Sequence, residues 1–271
     1  NWLSIPLSLI ESIEVIKGGQ SAIYGNNAVG GVIKITTVQP SEALAGQLQL
    51  SGGSFDSYNA RLGLSGRVGS FGFSAHAEHD ETNGYRQNSQ YDADGGGIKF
   101  DWLANDWVSA YLSVSGVESE YGLPGPLSRA ELADDRKQSK EFANFGEEEA
   151  IYSRAGIGLF INDEFSFGLD AGYSSRDLYT VFYSYGGGAP AFPFEIEQDY
   201  EILSASPTVT YQNDRLTSLV GLDYYDDHVG AEFGTDPVEY ERQSLAAFSS
   251  LKYDAGEGLI LTASLRCERA R

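Results

Sequence analysis

The stretch from Ile10 to Thr37, "IESIEVIKGGQSAIYGNNAVGGVIKITT", decides how the rest of the chain is read. Two short β-rich runs, "IEVIK" and "GVIKITT", flank a middle rich in glycine and asparagine. Gly18, Gly19, Gly25, Gly30 and Gly31 allow the backbone to turn left-handed or approach a neighbour closely. The stretch is not a phosphate-binding loop, because the Gly-Lys-Ser/Thr ending is missing. "VQPSEA" (38–43) then reads as a linker, since Pro40 ends a strand and removes a donor.

Beyond Ala45 the dominant period is two. In "FSFGLDAGY", Phe165, Phe167, Leu169, Ala171 and Tyr173 share one face and Ser166, Gly168, Asp170 and Gly172 the other. "VSAYLSV" (108–114) and "LILTASLR" (259–266) alternate in the same way. Similar runs recur along the whole segment and predict about eleven strands. Their connections alternate in length. Tight ones fall at Gly69–Ser70, Ala104–Asn105, Asn162–Asp163, Asn213–Asp214 and Asp254–Gly258, with the Gly, Asn and Asp that hairpins need. Long ones are expected at 80–94, 119–149, 177–198 and 227–239, while the first, around Gly53–Ser57, is short. Short turns on one rim and long loops on the other indicate an outer-membrane barrel, whose strands of about ten residues meet lipid with alternate side chains. Trp102, Trp107, Tyr173, Tyr211, Tyr224 and Tyr253 are placed at or near strand ends, as a headgroup belt requires. Amphipathic strands also build soluble sandwiches, but those do not usually keep long and short connections in alternation.

Composition agrees and narrows the choice. The 271 residues hold 32 Gly, 17 Tyr and 14 Phe, suited to a β protein with many turns and interfacial rings. The formal charge of −21 repels a phosphate backbone and speaks against nucleic-acid binding. The single cysteine, Cys267, excludes an internal disulfide and reads as a passive thiol. No run approaches the roughly 20 apolar residues of a spanning helix. The absence of methionine suggests a true N-terminus upstream.

Ile10–Thr37 resembles, over a long gap-free match, the end of the plug domain of TonB-dependent outer-membrane receptors. Residues 53–80 look like that family's opening hairpins, and "YGLPGPL" (121–127) resembles a loop segment seen in many members. The resemblance implies an all-β membrane protein: the C-terminal part of a plug domain (1–39), a linker (40–45), and the N-terminal portion of a transmembrane β-barrel (46–271). That portion would be about half of a 22-stranded antiparallel barrel, the strand number associated with a plugged lumen. The chain end would then be a truncation, with the TonB box, the signal peptide and the remaining strands lying outside it. Gly18, Tyr24, Gly25, Gly30 and Gly31 become turn and packing positions of the plug. Lys17, where many members have arginine, becomes a candidate latch to barrel-wall carboxylates, able to supply charge but not a bidentate fork. Gly19 departs from the family's usual proline and Lys34 from its asparagine.

The implied function is TonB-dependent active transport of a scarce nutrient across the bacterial outer membrane, with a ferric siderophore first and cobalamin or haem as alternatives. Its implied partners are the TonB energy-coupling complex, the bulky ligand and outer-membrane lipid. Candidate ligand contacts are the loop aromatics Tyr121, Tyr179, Phe182, Tyr183, Tyr185, Phe192 and Phe194, since rigid rings suit a large, partly apolar ligand. Loop-to-loop packing on the outer rim is the other reading of these rings. A non-transporting structural or surface-receptor barrel is the rival class. No catalytic set, cofactor or metal site is assigned. "YDADGGGIK" (91–99) begins with EF-hand spacing, but Leu103 stands where the bidentate glutamate is required, leaving at most a looser cation site on an outer loop. His76 and His79 fall on opposite faces of one strand and His228 alone in a loop, so no triad is defensible.

Overall fold

The structure, a computed structural model, describes residues 10–25, 28–37, 39–186, 189–233 and 236–271. The first nine residues of the expected plug segment, Asn26 and Asn27 in its middle, and Val38 in the expected linker lie outside the described residues, as does the side chain of Tyr185.

The opening stretch forms a small unit of its own. Strand β1 (Ile10–Lys17) pairs antiparallel with β2 (Gly31–Thr37), and between them lies one helical turn, α1 (Ser21–Tyr24). Two of the five glycines are obligatory. Gly25 caps α1 at φ 85° and ψ −175°, a region essentially closed to L side chains. At Gly31 a Cβ would come within 2.6 Å of the Ile16 carbonyl oxygen, so only glycine lets β2 enter its pairing with β1. Gly18 also has a positive φ of 92°, whereas Gly30 faces open space and serves only through its carbonyl, which accepts from the Gly18 N–H at 3.3 Å.

The rest is one antiparallel sheet in chain order. Its eleven strands are β3 (Ala45–Gly52), β4 (Tyr58–Val68), β5 (Phe71–Thr82), β6 (Tyr91–Asn105), β7 (Val108–Gly122), β8 (Phe145–Phe160), β9 (Phe165–Gly186), β10 (Ala189–Gln212), β11 (Leu216–Phe233), β12 (Asp236–Gly256) and β13 (Leu259–Ala270). A six-residue helix, α2 (Arg129–Asp134), interrupts the connection from β7 to β8. Strands β3 and β13 are the edges of the sheet.

Register carries the alternation of each strand across the whole wall. Phe71, Trp102, Ala110 and Ile157 follow one another across β5 to β8, and Leu169 and Pro207 continue the row. These side chains and the Leu, Val, Ala and Phe above them form one exposed apolar face. The opposite face is lined with Ser, Thr, Gly, Tyr and paired charges, and most of the buried positions lie on it, including Ser74, Val117, Glu148, Asp223 and Phe248. An exposed apolar face backed by a polar, half-buried one is the wall of a membrane barrel.

Aromatic residues mark both edges of the apolar band. At the short-turn rim Phe71 stacks on Trp102 (ring centroids 6.0 Å) and Phe165 lies against Tyr211 (4.8 Å), with Tyr253 in the same position on β12. Tyr173 and Tyr224 are not at strand ends as expected. They sit in mid-strand on the same outward face, eight residues above Phe165 and Leu216. A strand climbs ~3.3 Å per residue along its tilted axis, so they lie roughly 20 Å above the lower rings, near the upper boundary of an apolar band about 25 Å tall. They read as the second girdle, and the strands continue past it.

That continuation also corrects the loop lengths. The described residues of 177–198 and 227–239 are not loops but the upper halves of two hairpins, β9–β10 and β11–β12. Likewise the segment 80–94 is a connection only over 83–90, and 119–149 only over 123–144. Above the lipid the backbone still needs partners for its N–H and C=O groups, and adding ladder rungs satisfies them. His228, expected in a loop, lies in β11 between Asp199 (3.7 Å) and Glu241 (3.8 Å) of its neighbours. Asp92 and Asp94 lie on strand β6, not in a loop.

Candidate functional site

The polar face of the wall is wired by ion pairs along single strands and between neighbours. Arg61 reaches Glu78 (3.5 Å) and Asp80 (3.1 Å), Lys99 reaches Asp101 (3.1 Å), and Arg176 holds Glu148 through two nitrogens (2.9 and 3.2 Å). Arg242 pairs with Asp227 across β11 and β12. The most enclosed of these networks is centred on Arg266 of β13. Its Nη1 donates to Asp223 (2.6 Å) and its Nε to Glu268 (2.9 Å), while the Ser206 hydroxyl donates to the other oxygen of Asp223 (2.7 Å). The Arg266 and Asp223 side chains are 8 % and 9 % exposed. The guanidinium lies 5.9 Å from the Phe248 ring, which packs against it.

The small N-terminal unit meets the wall at this point. Helix α1 lies against β12 and β13, and the open side of Gly25 faces Arg266, whose Nη2 would stand 3.5 Å from a Cβ there. A second approach leaves a gap of about 320 Å³ between Ile35 and Thr37 of β2 and the wall at Ser74, His76, Lys99, Tyr111 and Arg154. The polar face is therefore the inside of the wall, and the β1–α1–β2 unit sits against it. Tyr24 ends α1 and is exposed. Lys17 is the exposed last residue of β1 and makes no ion pair among the described residues. The contact to the wall near Arg266 comes instead from the turn at Gly25, which a single-strand reading of β13 does not announce.

The aromatic candidates are not brought together. Tyr121, one residue before the end of β7, is on the inner face, where burial first and Glu148 second push its phenol up. Tyr179 is on the outer face of β9, edge-on to Phe145 (6.1 Å). Phe182 pairs with Phe194 across the β9–β10 hairpin and Tyr183 is half-buried beside them, while Phe192 is 81 % exposed near the tip. The group divides into an inner-rim tyrosine, an outer-face tyrosine and a hairpin tip.

The connections above β5–β8 are knitted together. Arg86 donates to the carbonyl oxygens of Gly125 (2.7 Å), Pro124 (3.2 Å) and Gln138 (3.0 Å). Asn144, the largest fully buried side chain, accepts from the Tyr183 N–H (2.8 Å) and donates to Glu141 (2.9 Å). Helix α2 starts with a full capping box: Ser128 accepts from the Glu131 N–H, and the Glu131 carboxylate accepts from the Ser128 N–H. Lys140 hydrogen-bonds the same carboxylate and, with Ser128, lowers its pKa to about 2. A depressed folded value means that the cap's contribution is complete above the ordinary carboxylate range and is lost as pH falls toward 2. The amides of α2 should therefore keep their hydrogen-exchange protection from pH 7 to 5 and lose it progressively as pH falls from about 5 to 2, and Glu131→Gln should abolish that acid-dependent step. An unchanged profile in the variant would remove Glu131 as its source.

The TonB-dependent receptor plug domain family model matches residues 1–32. The chain is 30 % identical over 148 residues to the vitamin B12 transporter BtuB of Photobacterium profundum, covering 49 % of this chain and 24 % of the transporter. It is 50 % identical over 50 residues to the iron-regulated outer membrane virulence protein of Vibrio cholerae, covering 18 % of this chain and 8 % of that protein. Among solved structures, the ferric yersiniabactin uptake receptor FyuA from Yersinia pestis superposes with a TM-score of 0.82 at 17 % identity, over 96 % of this chain and 44 % of the receptor. The chain thus spans about a quarter of the first of these relatives and under half of the solved receptor.

Proposed function

Because the chain carries a plug segment and the barrel wall of a TonB-dependent outer-membrane receptor, we propose that it takes part in energy-driven uptake of a scarce, bulky nutrient. The observation that carries this reading is the β1–α1–β2 unit lying against the polar inner wall. A stopper of this kind blocks free diffusion, so passage requires a partner that rearranges it, and the TonB complex supplies that work. Release follows from a difference in ligand affinity between the two plug states. A ferric siderophore is the first-choice ligand and cobalamin or haem the alternative. The relatives named as a B12 transporter and as a ferric yersiniabactin receptor support both classes. We assign no catalytic step: the relatives are transport receptors, His76 and His79 lie on opposite faces of β5, and His228 lies on β11. We divide the chain into plug (1–39), linker (40–45) and barrel (46–271).

The test is ligand binding by the full-length receptor, comparing ferric siderophores with cobalamin. Binding of one of them is expected, and binding of neither overturns the substrate assignment. The latch role of Lys17 is part of the same proposal. Lys17→Ala should raise hydrogen exchange in β1 and β2 of the full-length protein, and unchanged exchange would sink it.

A further inference from the structure

The outward face of the wall changes character above the second aromatic girdle. Cross-strand register sets two successive rows of side chains around β5 to β10. The upper row is Glu81, Asp92, Glu120, Glu147, Tyr179 and Glu197, and the row beneath it is His79, Asp94, Glu118, Glu149, Asp177 and Asp199. Like charges directly opposite each other on neighbouring strands are destabilising. Among the described residues no lysine or arginine forms an ion pair with the carboxylates of β5, β6 or β7 in these rows.

At the β5 end the rows finish in a block of different chemistry. His79 and Glu81 lie two apart on β5, and Asp94 and Asp92 lie directly opposite them on β6. His79 Nδ1 is 3.0 Å from Asp94 Oδ1. In the tautomer that donates this hydrogen bond, Nε2 keeps its lone pair, and it lies 3.9 Å from Glu81 Oε2. One ligand atom from each of His79, Glu81 and Asp92 falls within 4.8 Å of the others.

We propose that His79, Glu81 and Asp92 form a binding site for a divalent cation of the zinc class, with Asp94 as the residue that positions the imidazole. Zinc binds imidazole nitrogen and carboxylate oxygen at about 2.0–2.2 Å, which puts tetrahedral ligand atoms ~3.4 Å apart. Rotation of three water-exposed or half-exposed side chains closes the remaining gap without moving the strands. The carboxylate on the far imidazole nitrogen is the second contact that metal-binding histidines commonly make, and it fixes both tautomer and ring orientation. Calcium and magnesium prefer oxygen ligands alone and gain nothing from the imidazole. The acidic rows running away from the block raise the local cation concentration and leave the remaining coordination positions open to water. A bound cation would also offset the repulsion of Glu81 and Asp92, which face each other directly. The site is on the outside of the wall, so it is independent of the uptake reading.

The test uses the full-length receptor in detergent, stripped with a chelator and titrated calorimetrically with Zn²⁺, then with Ca²⁺ as competitor. One Zn²⁺ site is expected that Ca²⁺ does not displace. His79→Ala should weaken it at least tenfold, and Asp94→Asn by about 10–100-fold through loss of the positioning contact. Co²⁺ should give a visible absorption band that His79→Ala abolishes. Heat-modifiable gel migration checks that both variants remain folded barrels. Equal zinc affinity in wild type and a folded His79→Ala variant overturns the proposal, as does absence of zinc binding or displacement by equimolar Ca²⁺.

Discussion

Arg266→Ala is expected to be among the most destabilising single substitutions in the wall, at about 3–5 kcal/mol, because it strands a buried charge. Asp223 is 9 % exposed and accepts from two donors, the charged Arg266 guanidinium and the neutral Ser206 hydroxyl. Without Arg266 only the hydroxyl remains, and water cannot readily replace the lost donor under Phe248. Lysine at this position keeps the charge but not the fork that reaches Asp223 and Glu268 together, so Arg266→Lys should fall between wild type and alanine. The double variant Arg266→Ala/Asp223→Ala should recover part of the loss, since it removes the uncompensated carboxylate. Thermal unfolding of the full-length receptor in detergent, followed by heat-modifiable migration, gives the midpoints. Hydrogen exchange gives a second, local readout: protection of Ser21–Gly25 should fall in Arg266→Ala, because that turn leans on the guanidinium. A variant with wild-type midpoint and wild-type protection would show that the network neither stabilises the wall nor seats the plug.

Asn144→Ala should have the largest effect above the membrane. The side chain is only 1 % exposed and, from the upper end of the β7–β8 connection just before β8, ties Glu141 of that connection to Tyr183 on β9. Its backbone carbonyl adds the Leu123 N–H (3.0 Å) and the Asn88 amide (2.7 Å), which binds the neighbouring connection. Alanine leaves the Tyr183 N–H without its acceptor, an expected cost of about 1–3 kcal/mol, and opens a cavity where the amide was. Asn144→Asp separates the two contacts. It keeps the acceptor for Tyr183 but turns a donor toward Glu141 into a like charge, so it should be no better than alanine at neutral pH. Limited proteolysis of intact cells expressing the receptor should show faster cleavage within 123–144 for both variants. Wild-type cleavage rates would mean that Arg86 and Asn88 hold the connection unaided.

The sequence was most legible where the two faces differ most. Phe165, Phe167, Leu169, Ala171 and Tyr173 alternate with small polar residues, and they do line the outward face of β9. The same contrast identified the other strands and the tight turns between them. It fails above the girdle, where Asp177 and Tyr179 on one face alternate with Arg176 and Leu178 on the other. With no apolar–polar difference, a strand there looks like a loop, and so 177–198 reads as one from the sequence. Contacts fixed by register were also beyond a strand-by-strand reading. His79 and Asp94 are 15 residues apart and become neighbours only once the β5–β6 hairpin sets its pairing. Arg266 and Asp223 lie on strands that do not adjoin, and the long arginine side chain reaches across β12 on their shared inner face.

The hairpins reach unequal heights past the apolar band. Strand β9 runs for 22 residues and β10 for 24. At ~3.3 Å per residue and a tilt near 40°, such a strand climbs roughly 55 Å, about twice the thickness of the apolar band. Strand β8 stops pairing with β9 at Val181, and β11 stops pairing with β10 at Ile196. Above those rungs the β9–β10 ribbon rises alone like a mast, with Phe192 bare near its top. Among the described residues that ribbon is the part of the sheet that reaches furthest past the apolar band, beyond the last rungs of both its neighbours.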